Sequence, residues 1–368
     1  MRKDWEYKKW ADVLTIINGK NQKAVESIDG TYPIYGSGGI MGYANDWLCP
    51  ENCTIIGRKG NINKPIFVES KFWNVDTAFG LNSNQNLLAS KYLYYFCLNY
   101  DFNRHNKAVT IPSLTKVDLL KIEMPLPPKP TQLAIVAELD KINELIQLKK
   151  QQLKDYDQLA QSIFYEMFGD PVENEKGWEV KNIESVCSSI VRGPFGSALK
   201  KDFFVPKNNS TYKIYEQKNA IQKNASIGSY YITEERFKEL SRFELLPGDI
   251  IMSCSGTIGE LYRIPVNAEK GIMNQALLKF SLLKQINFLY FLYLMDYVKK
   301  EFTIRGSGLQ NIGSVKIIKS MKFGLPPLPL QQQFAARIEA IERQKQQVSE
   351  TIKDLETLLA SRMQYWFD

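Results

Sequence analysis

The chain has 368 residues, which is too long for one ordinary domain and indicates two or three folded units. Hydrophobic residues make up 44% of the chain and charged residues 24%, so each unit can bury a core. This composition excludes a globally disordered, collagen-like or small disulfide-rich protein. Lysine and arginine outnumber aspartate and glutamate by 47 to 40, a net charge of +7, which permits a nucleic-acid partner without requiring one.

The five cysteines are odd in number and irregularly spaced, which favours reduced, structural thiols. Cys49 and Cys53 have no histidine nearby, so we expect no zinc site. The amino-terminal segment lacks the apolar core of a signal peptide, and the longest apolar stretch, residues 286–298, is too short to span a bilayer. We therefore expect a cytoplasmic protein that does not bind a membrane.

The first predicted element is a lobe that runs from Trp5 to Pro125. Residues 54–56 and 66–68 are predicted to form short strands, because β-branched and aromatic residues are bounded by glycine turns. Residues 87–98 are rich in aromatic side chains and predict a short buried helix. The prolines at positions 125–130 end the lobe and hold the entering chain extended.

A long helix follows, because apolar residues recur in alternating steps of four and three from Ile135 to Met167. A seam with a period of 3.5 residues over five heptads predicts a coiled coil. The breaker cluster at residues 169–171 ends this helix.

A second lobe, from Trp178 to Gly324, contains a predicted strand at residues 249–252 and a predicted helix at 288–300. The last long helix then repeats the seam of the first at a constant offset of 199 residues. Each helix carries a lysine in its seam, Lys149 or Lys345, and polar seam residues fix register. An alternative is that each helix packs only on its own lobe, but two matched seams are explained more simply by mutual pairing. The pairing residues predicted are Ile135, Leu139, Ile142, Ile146, Leu153, Ile338, Ile341, Val348, Ile352 and Leu355.

The chain is an internal repeat. Residues 125–168 align with 324–367 without a gap, and 13 of the 44 pairs are identical, including the Leu-Pro-Pro run before each helix. Trp5-Glu6 aligns with Trp178-Glu179, residues 55–62 with 251–258, and 117–121 with 315–319. The second lobe is longer, mostly between residues 193 and 251, so two related sites with different loops are expected. The expected organisation is a first recognition lobe at 1–130, a helix at 131–169, a linker at 170–177, a second lobe at 178–329 and a helix at 330–368.

Positive charge is concentrated in the lobes. Residues 131–168 carry a net charge of −2 and residues 330–368 a net charge of −1, so the remaining chain holds +10. Two basic modules joined by a slightly acidic stalk suit binding to one polyanion at two places, although a solvated lysine-rich surface would give the same count. Candidate contact loops are the glycine-rich run 35–43 and the turns at 58–64, 104–107, 192–201, 253–257 and 305–310.

Several catalytic motifs are missing from the sequence. No G-x-x-x-x-G-K-[ST] run, amino-methyltransferase Asn-Pro-Pro-Tyr/Phe run or metal-ligand cluster occurs, which favours a binding and positioning protein over an enzyme. Two alternatives stay open. One is a coiled-coil scaffold whose lobes bind protein, and the other is an enzyme that methylates or cleaves DNA by itself.

With these marks the chain resembles the DNA-specificity subunits of type I restriction-modification systems. The resemblance covers the whole chain and rests on the Trp-Glu lobe openings, the loop 35–43, the run 56–60, and the junctions 124–128 and 324–333. It implies an α+β fold in which two mixed β-rich target-recognition domains are separated by two long antiparallel coiled-coil helices, related by a pseudo-twofold. It also implies that each lobe reads one half of a bipartite, asymmetric DNA site and that this chain has no catalytic residue or cofactor.

The implied partners are double-stranded DNA, two methyltransferase subunits that bring S-adenosylmethionine, and often two restriction subunits that use ATP and Mg²⁺. About 38 helical residues span roughly 57 Å, enough to hold two lobes about one DNA turn apart. The residues predicted to contact the first half-site are Lys20, Tyr35, Ser37, Arg58, Lys59, Asn61, Lys64 and Lys107. Those predicted to contact the second are Arg192, Lys200, Lys201, Ser253, Ser255, Thr257, Arg305 and Gln310, with residues 215–219 as further candidates.

Overall fold

The computed structural model describes residues 5–106, 110–304 and 315–368. The protein has a mixed α+β fold that divides into two compact units. Unit 1 comprises Met1–Leu153 with Gln347–Asp368, and unit 2 comprises Lys154–Gln346. Each unit therefore contains one lobe and parts of both long helices, whereas the sequence assigned the helices to segments of their own.

The first lobe is built from three sheets. An antiparallel four-stranded sheet has the order β2-β8-β5-β6, a three-stranded sheet has the order β4-β3-β7, and β1 pairs with β9. Within the second sheet β3 and β7 are parallel. The strands are β1 (Glu6–Lys9), β2 (Leu14–Asn18), β3 (Tyr32–Gly36), β4 (Gly39–Ala44), β5 (Cys53–Gly57), β6 (Ile66–Val68), β7 (Trp73–Asn74), β8 (Ala78–Ser83) and β9 (Glu123–Leu126).

The second lobe repeats this strand order. Its antiparallel sheet is β11-β18-β15-β16, its mixed sheet is β13-β12-β17-β14 with β12 and β17 parallel, and β10 pairs with β19. The mixed sheet has one strand more than its counterpart among the described residues. The strands are β10 (Glu179–Asn182), β11 (Cys187–Arg192), β12 (Tyr212–Tyr215), β13 (Tyr231–Ile232), β14 (Glu244–Leu245), β15 (Ile250–Ser253), β16 (Leu261–Arg263), β17 (Gly271–Met273), β18 (Leu277–Leu282) and β19 (Lys322–Leu325).

The helices comprise several short ones and two that are 40 residues long. None of those in the described part of the chain is long and apolar enough to cross a bilayer. Their bounds are α1 (Trp10–Val13), α2 (Ser90–Asn99), α3 (Lys116–Leu119), α4 (Lys129–Phe168), α5 (Gln217–Ile221), α6 (Glu234–Glu239), α7 (Phe288–Ile304), α8 (Val315–Ser320) and α9 (Leu328–Phe367).

The short elements predicted from the sequence are confirmed with small shifts. β5 and β15 are buried along their whole length, which explains their nearly continuous apolar sequence. The long helices begin at Lys129 and Leu328, two residues before the expected starts. Pro130 and Pro329 therefore stand in the first turn, where proline is tolerated because its missing N–H has no intrahelical acceptor. α4 ends at Phe168, and Gly169 takes the left-handed conformation, with φ of +69°, that terminates helices.

Within unit 1 the start of α4 contacts the end of α9. Arg362 forms a two-pronged ion pair with Glu138, with 3.2 Å between Nη2 and Oε2, and Lys150 Nζ lies 2.8 Å from Glu356 Oε1. The hydrogen bond from Arg362 holds the pKa of Glu138 below its usual range. The residue numbers rise along α4 as they fall along α9, so the two segments run antiparallel.

Within unit 2 the end of α4 contacts the start of α9 in the same sense. Lys345 Nζ lies 2.7 Å from Asp157 Oδ1, and the rings of Phe164 and Phe334 are 5.5 Å apart.

The seam is buried at most of the predicted pairing positions, while Leu153 and Leu355 are half-buried. The buried positions are Ile135, Leu139, Ile142, Ile146, Ile338, Ile341, Val348 and Ile352.

Each lobe is tied to its long helix by a buried glutamine. Gln132 Oε1 accepts a hydrogen bond of 2.8 Å from the N–H of Ala89, just before α2, while its amide donates to the carbonyls of Leu87 and Pro127, each at 2.9 Å. Gln331 repeats this in unit 2, accepting from the N–H of Asn287 at 2.8 Å.

A buried tyrosine completes the junction. Tyr92 donates to the carbonyl of Pro125 and Tyr290 to that of Gly324, both at 3.0 Å. The tyrosine is the third residue of α2 in the first lobe and of α7 in the second. The start of the buried helix, the last strand and the long helix are therefore fixed to one another in both units.

We predict that Gln132→Ala and Gln331→Ala each lower the free energy of unfolding by about 3 kcal/mol, since each leaves two or three buried backbone groups unpaired. Gln147→Ala is the control, because Gln147 is exposed on α4 and its loss should change stability by about 0.5 kcal/mol at most. Urea unfolding of the three variants tests this. Equal stability of Gln132→Ala and Gln147→Ala would contradict the role given to the junction.

Candidate nucleic-acid interface

In the first lobe the loop that follows β5 meets the end of the β3–β4 hairpin. The N–H groups of Arg58 and Lys59 both donate to the carbonyl of Thr77, at 2.8 and 3.2 Å. A Cβ placed on Gly38 at the hairpin turn would lie 3.7 Å from Asn61 Nδ2. The hairpin turn that carries Ser37 and the loop that carries Arg58, Lys59 and Asn61 therefore lie side by side, forming a loop cluster.

This loop is held by the lobe's own side chains. Asn63 donates to Asp101 Oδ1 at 2.7 Å and accepts from the N–H of Phe102 at 2.8 Å. The carbonyl of Arg58 accepts from the N–H of Leu114 at 2.9 Å. The exposed Lys59, Asn61 and Lys64 therefore project from a fixed backbone.

The remaining first-lobe candidates differ in how free they are to reach a ligand. Lys20 is exposed, and its backbone is anchored by hydrogen bonds of 3.0 Å with Asn74 and Trp73. Tyr35 is half-buried, with its ring 5.6 Å from that of Phe72, so much of it serves the packing of the sheet. Arg58 donates to the carbonyl of Asp76 at 3.4 Å. Lys107 lies outside the described residues.

The hairpin beside this cluster exposes apolar side chains. Ile40 and Met41, in the glycine-rich run, are 56% and 61% exposed, and a bulge in the β3–β4 pairing falls at this point. Bulges re-aim side chains and occur next to functional sites. The hairpin therefore presents a non-polar tip next to the polar loop.

In the second lobe the same backbone frame surrounds a polar cleft of about 590 Å³. The N–H of Asn274 donates to the carbonyl of Tyr215 at 2.9 Å, as that of Val75 donates to Tyr35 in the first lobe. The N–H of Cys254 donates to the carbonyl of Ala276 at 2.8 Å, as that of Arg58 donates to Thr77. The cleft is lined by Arg192, Gly193, Phe195, Glu216, Gln217, Lys218, Ser255, Asn274, Gln275 and Ala276.

The loop after β15 matches the loop after β5 residue by residue. Gly60 and Gly256, aligned by the sequence, both have positive φ, +77° and +63°. Lys59 thus corresponds to Ser255 and Asn61 to Thr257. A basic and an amide side chain in the first lobe are replaced by two hydroxyls in the second, on loops that share a left-handed glycine at the same position.

Ser253 corrects the predicted contact set. It is fully buried, its hydroxyl donates to the carbonyl of Thr257 at 2.6 Å and accepts from the N–H of Glu260 at 3.0 Å. Because both its hydrogen-bonding roles are used inside the loop, its side chain holds the turn and cannot reach a ligand. Its first-lobe counterpart is Gly57, where a Cβ would lie 2.3 Å from the Asn61 carbonyl oxygen.

The other second-lobe candidates fall in different places. Arg192 and Ser255 line the cleft, and Thr257 is exposed on the same loop. Lys200 and Lys201 are exposed on the inserted segment and are not part of the cleft lining. Arg305 and Gln310 lie outside the described residues.

The stretch 215–219 separates into structural and cleft-lining residues. Tyr215 is buried and donates to the carbonyl of Glu269 at 2.6 Å, and the buried Asn219 donates to the carbonyls of Asn224 and Ile227. Glu216, Gln217 and Lys218 line the cleft instead, with Lys218 Nζ 2.7 Å from Glu216 Oε2.

Sequence reasoning missed Asn274 and Gln275, which also line the cleft, and covered Phe195 only as part of the candidate run 192–201. The available signal was the polar pair Asn274-Gln275 directly after the apolar strand β17, at the position that Val75-Asp76 occupy after β7. Single short strands align poorly between the lobes, so this equivalence appears only through the shared hydrogen bonds.

The thiols near the site are neutral at ordinary pH. Burial raises the pKa of Cys254 to about 11, although the Arg192 cation acts in the opposite direction. All five cysteines are free. Within residues 5–106, 110–304 and 315–368 there is no group of three or more His, Cys, Asp or Glu residues placed to hold a metal ion.

Two lobes of the same strand order, each with a polar loop cluster at the same place, define a tandem-lobe protein. A family model described as the type I restriction modification DNA specificity domain matches residues 2–155 and 175–357. The chain therefore belongs to the family of type I restriction-modification DNA specificity subunits, as the sequence resemblance implied.

Individual proteins agree with this assignment. The chain is 23% identical to a putative type I restriction enzyme specificity subunit of Haemophilus influenzae, over 94% of this chain and 89% of that protein. Its fold is similar to the type I restriction-modification S subunit of M. genitalium, with a TM-score of 0.55, 14% identity, and coverage of 100% of this chain and 98% of that one. A structure reported for complex assembly and conformational transition of the type I R-M system gives a TM-score of 0.64, with 15% identity and coverage of 99% and 97%.

We predict that Gly57→Ala lowers the free energy of unfolding by about 1–3 kcal/mol, because the added methyl group collides with the Asn61 carbonyl and the backbone must shift. Gly38→Ala, on the other side of Asn61, is the matched control, since its Cβ meets only ordinary contacts and should cost about 0.5 kcal/mol or less. Thermal unfolding distinguishes the two variants. If Gly57→Ala is as stable as Gly38→Ala, the close approach described here is wrong.

Proposed function

We propose that this specificity subunit reads a bipartite, asymmetric DNA site, with one half-site bound by each lobe, and positions methyltransferase subunits on it. The observation that carries the proposal is the duplicated loop cluster. Both lobes build the same hydrogen-bonded frame around the loops at 57–61 and 253–257, but present different side chains from it. A shared frame with different side chains gives two sites of similar shape and different sequence preference.

The chemistry of the exposed residues supports DNA as the ligand. Lysine and arginine side chains neutralise phosphates, while amides, hydroxyls and guanidinium groups read base edges in the major groove. In the first lobe the exposed Lys20, Lys59 and Lys64 supply the cations and Asn61 the amide. In the second lobe Lys200 and Lys201 are exposed, while Arg192 and Ser255 face the cleft.

The long helices would act as an antiparallel coiled-coil spacer that relates the lobes by a pseudo-twofold. The ion pairs Glu138–Arg362 and Asp157–Lys345, together with the buried seam, support this arrangement. Forty helical residues span about 60 Å, so the helix length would set the number of unspecified base pairs between the half-sites.

The chain itself would hold no cofactor and catalyse no step. We propose two methyltransferase subunits that supply S-adenosylmethionine, and two restriction subunits that use ATP and Mg²⁺, as the partners. The methyltransferases would flip one target base out of each half-site, since chemistry on a base requires its removal from the stack.

Methylome sequencing tests the proposal. A host that carries this chain with its methyltransferase subunit is compared with a host that lacks only this chain. We expect a bipartite motif with a fixed unspecified spacer that is present only with the chain. Methylation that is unchanged by removal of the chain would contradict the proposal that the chain directs the methyltransferase to its site.

We predict that Lys59→Ala weakens DNA binding by the assembled complex about equally on all sequences, because a lysine that contacts phosphate carries no base information. The slope of log K against log salt should fall by about 1. Lys141→Ala, an exposed lysine on α4, is the control and should leave the slope unchanged. A Lys59→Ala variant with the wild-type slope would remove Lys59 from the phosphate-contacting set.

We predict that one heptad added to both helices at facing positions, after Lys154 in α4 and after Val348 in α9, lengthens the unspecified spacer by about three base pairs. Seven residues add about 10.5 Å, and each base pair rises about 3.4 Å. Methylome sequencing reads the spacer directly. The control is a variant in which one heptad of each helix is replaced by the inserted sequence, so that the length of the helices is unchanged. Loss of either half-site, or an unaltered spacer with normal methylation, would contradict the spacer role.

A further inference from the structure

We propose that Gln217 is a specificity-determining residue that reads an adenine in the second half-site through its side-chain amide. The inference rests on the proposed function and deepens it by naming one contact and one base. It starts from the cleft of the second lobe, which is lined by polar side chains on several sides and stands where the first lobe places its candidate loops.

Gln217 holds a defined place in this cleft. It is the first residue of α5 and follows β12, whose Tyr215 carbonyl is fixed by the N–H of Asn274 at 2.9 Å. Its amide nitrogen approaches the turn at Gly256, where a Cβ would be 3.9 Å away. In the first lobe the equivalent hairpin turn approaches Asn61. Counted from the matched Tyr35 and Tyr215, position 217 corresponds to Ser37, although Ser37 lies in a hairpin turn and Gln217 begins a helix. The two lobes therefore present different hydrogen-bonding groups two residues after the shared backbone hydrogen bond.

Two buried oxygen atoms of residues that line the cleft accept no hydrogen bond within the described part of the chain, Glu216 Oε2 and the amide oxygen of Gln217, and only the first has an ion-pair partner, Lys218. The Gln217 oxygen is therefore the one assigned as a ligand contact. A buried polar atom without a partner costs about 1–3 kcal/mol, so such atoms are rare unless a ligand satisfies them. Because Gln217 also lines the cleft, a ligand that enters there can supply the missing donor.

The missing partner must be a hydrogen-bond donor, which narrows the choice of base. In the major groove guanine presents two acceptors and thymine one acceptor with a methyl group, so neither base satisfies the amide oxygen. Adenine N6 and cytosine N4 both present a donor. Adenine alone adds an adjacent acceptor, N7, that the amide nitrogen can meet at the same time. The side-chain amide is therefore complementary to adenine.

The surrounding charges suit a base edge in a duplex. Arg192 lines the same cleft, and its Nε donates to the carbonyl of Gln275 at 3.4 Å, which orients the guanidinium. Lys218 is paired with Glu216 at 2.7 Å, so the charges of these two neighbours offset each other. Arg192 places a cation in the cleft lining, as a site for DNA needs.

The experiment is methylome sequencing of the chain with its methyltransferase subunit, for the wild type, Gln217→Ala, Gln217→Glu and the control Gln222→Ala. Gln222 follows the last residue of α5 and is not part of the cleft lining. Gln217→Ala should relax one adenine of the second half-site, with about ten- to hundredfold less discrimination at that position. Gln217→Glu should move that preference towards cytosine, since a carboxylate accepts from cytosine N4.

The outcomes separate this inference from the proposed function. If the wild type gives a bipartite motif but Gln217→Ala leaves every position of it unchanged, Gln217 does not read a base, although the lobes still read DNA. A change in the first half-site would also overturn the inference. If Gln217→Ala abolishes methylation, a binding assay replaces the methylome. The affinity of the assembled Gln217→Ala complex is then measured for oligonucleotides in which one base pair of the second half-site is changed at a time. Wild-type discrimination at every position of the second half-site then contradicts the assignment.

Discussion

The buried glutamine at the start of each long helix is the interaction on which the architecture depends. Gln132 and Gln331 each satisfy the N–H that begins the buried helix of a lobe, and also a carbonyl of the junction itself. Together with Tyr92 and Tyr290, these glutamines fix the direction of each long helix relative to the lobe that precedes it. An unpaired amide or carbonyl at this depth would be costly, so the helix cannot pivot freely on the lobe.

The second constraint is the hydrogen-bonded frame that both lobes share. The N–H of Val75 donates to the carbonyl of Tyr35 in the first lobe, as that of Asn274 donates to Tyr215 in the second. The loops after β5 and β15 are joined to the neighbouring turn by further backbone hydrogen bonds. These bonds involve only the backbone, so loop side chains other than those that hold the loops, such as Asn63 and Ser253, can change without loss of the fold. Lys59 and Ser255, or Ser37 and Gln217, are such pairs. Recognition can therefore diverge between lobes while the scaffold stays the same.

Most of the architecture was readable from the sequence, because it rests on periodicity and repetition. The seam of the long helices, the Leu-Pro-Pro junctions and the buried strands β5 and β15 all follow from the spacing of apolar and proline residues. The site was less accessible. The sequence cannot tell that Ser253 folds inward on its own loop, or that Asn219 is enclosed while Gln217 faces the cleft. Such differences depend on contacts between segments far apart in the chain, for which the local pattern carries no signal.

The central claim is that each lobe recognises its own half-site through loops carried by the same backbone scaffold. It is tested most directly by a variant in which the second lobe is replaced by a copy of the first. In the variant, residues 178–325 are replaced by residues 5–126, so that both junctions keep their own glutamine and helix. Methylome sequencing with the methyltransferase subunit should then show the first half-site twice, in inverted orientation, across the wild-type spacer. A motif that still contains the original second half-site would contradict the account.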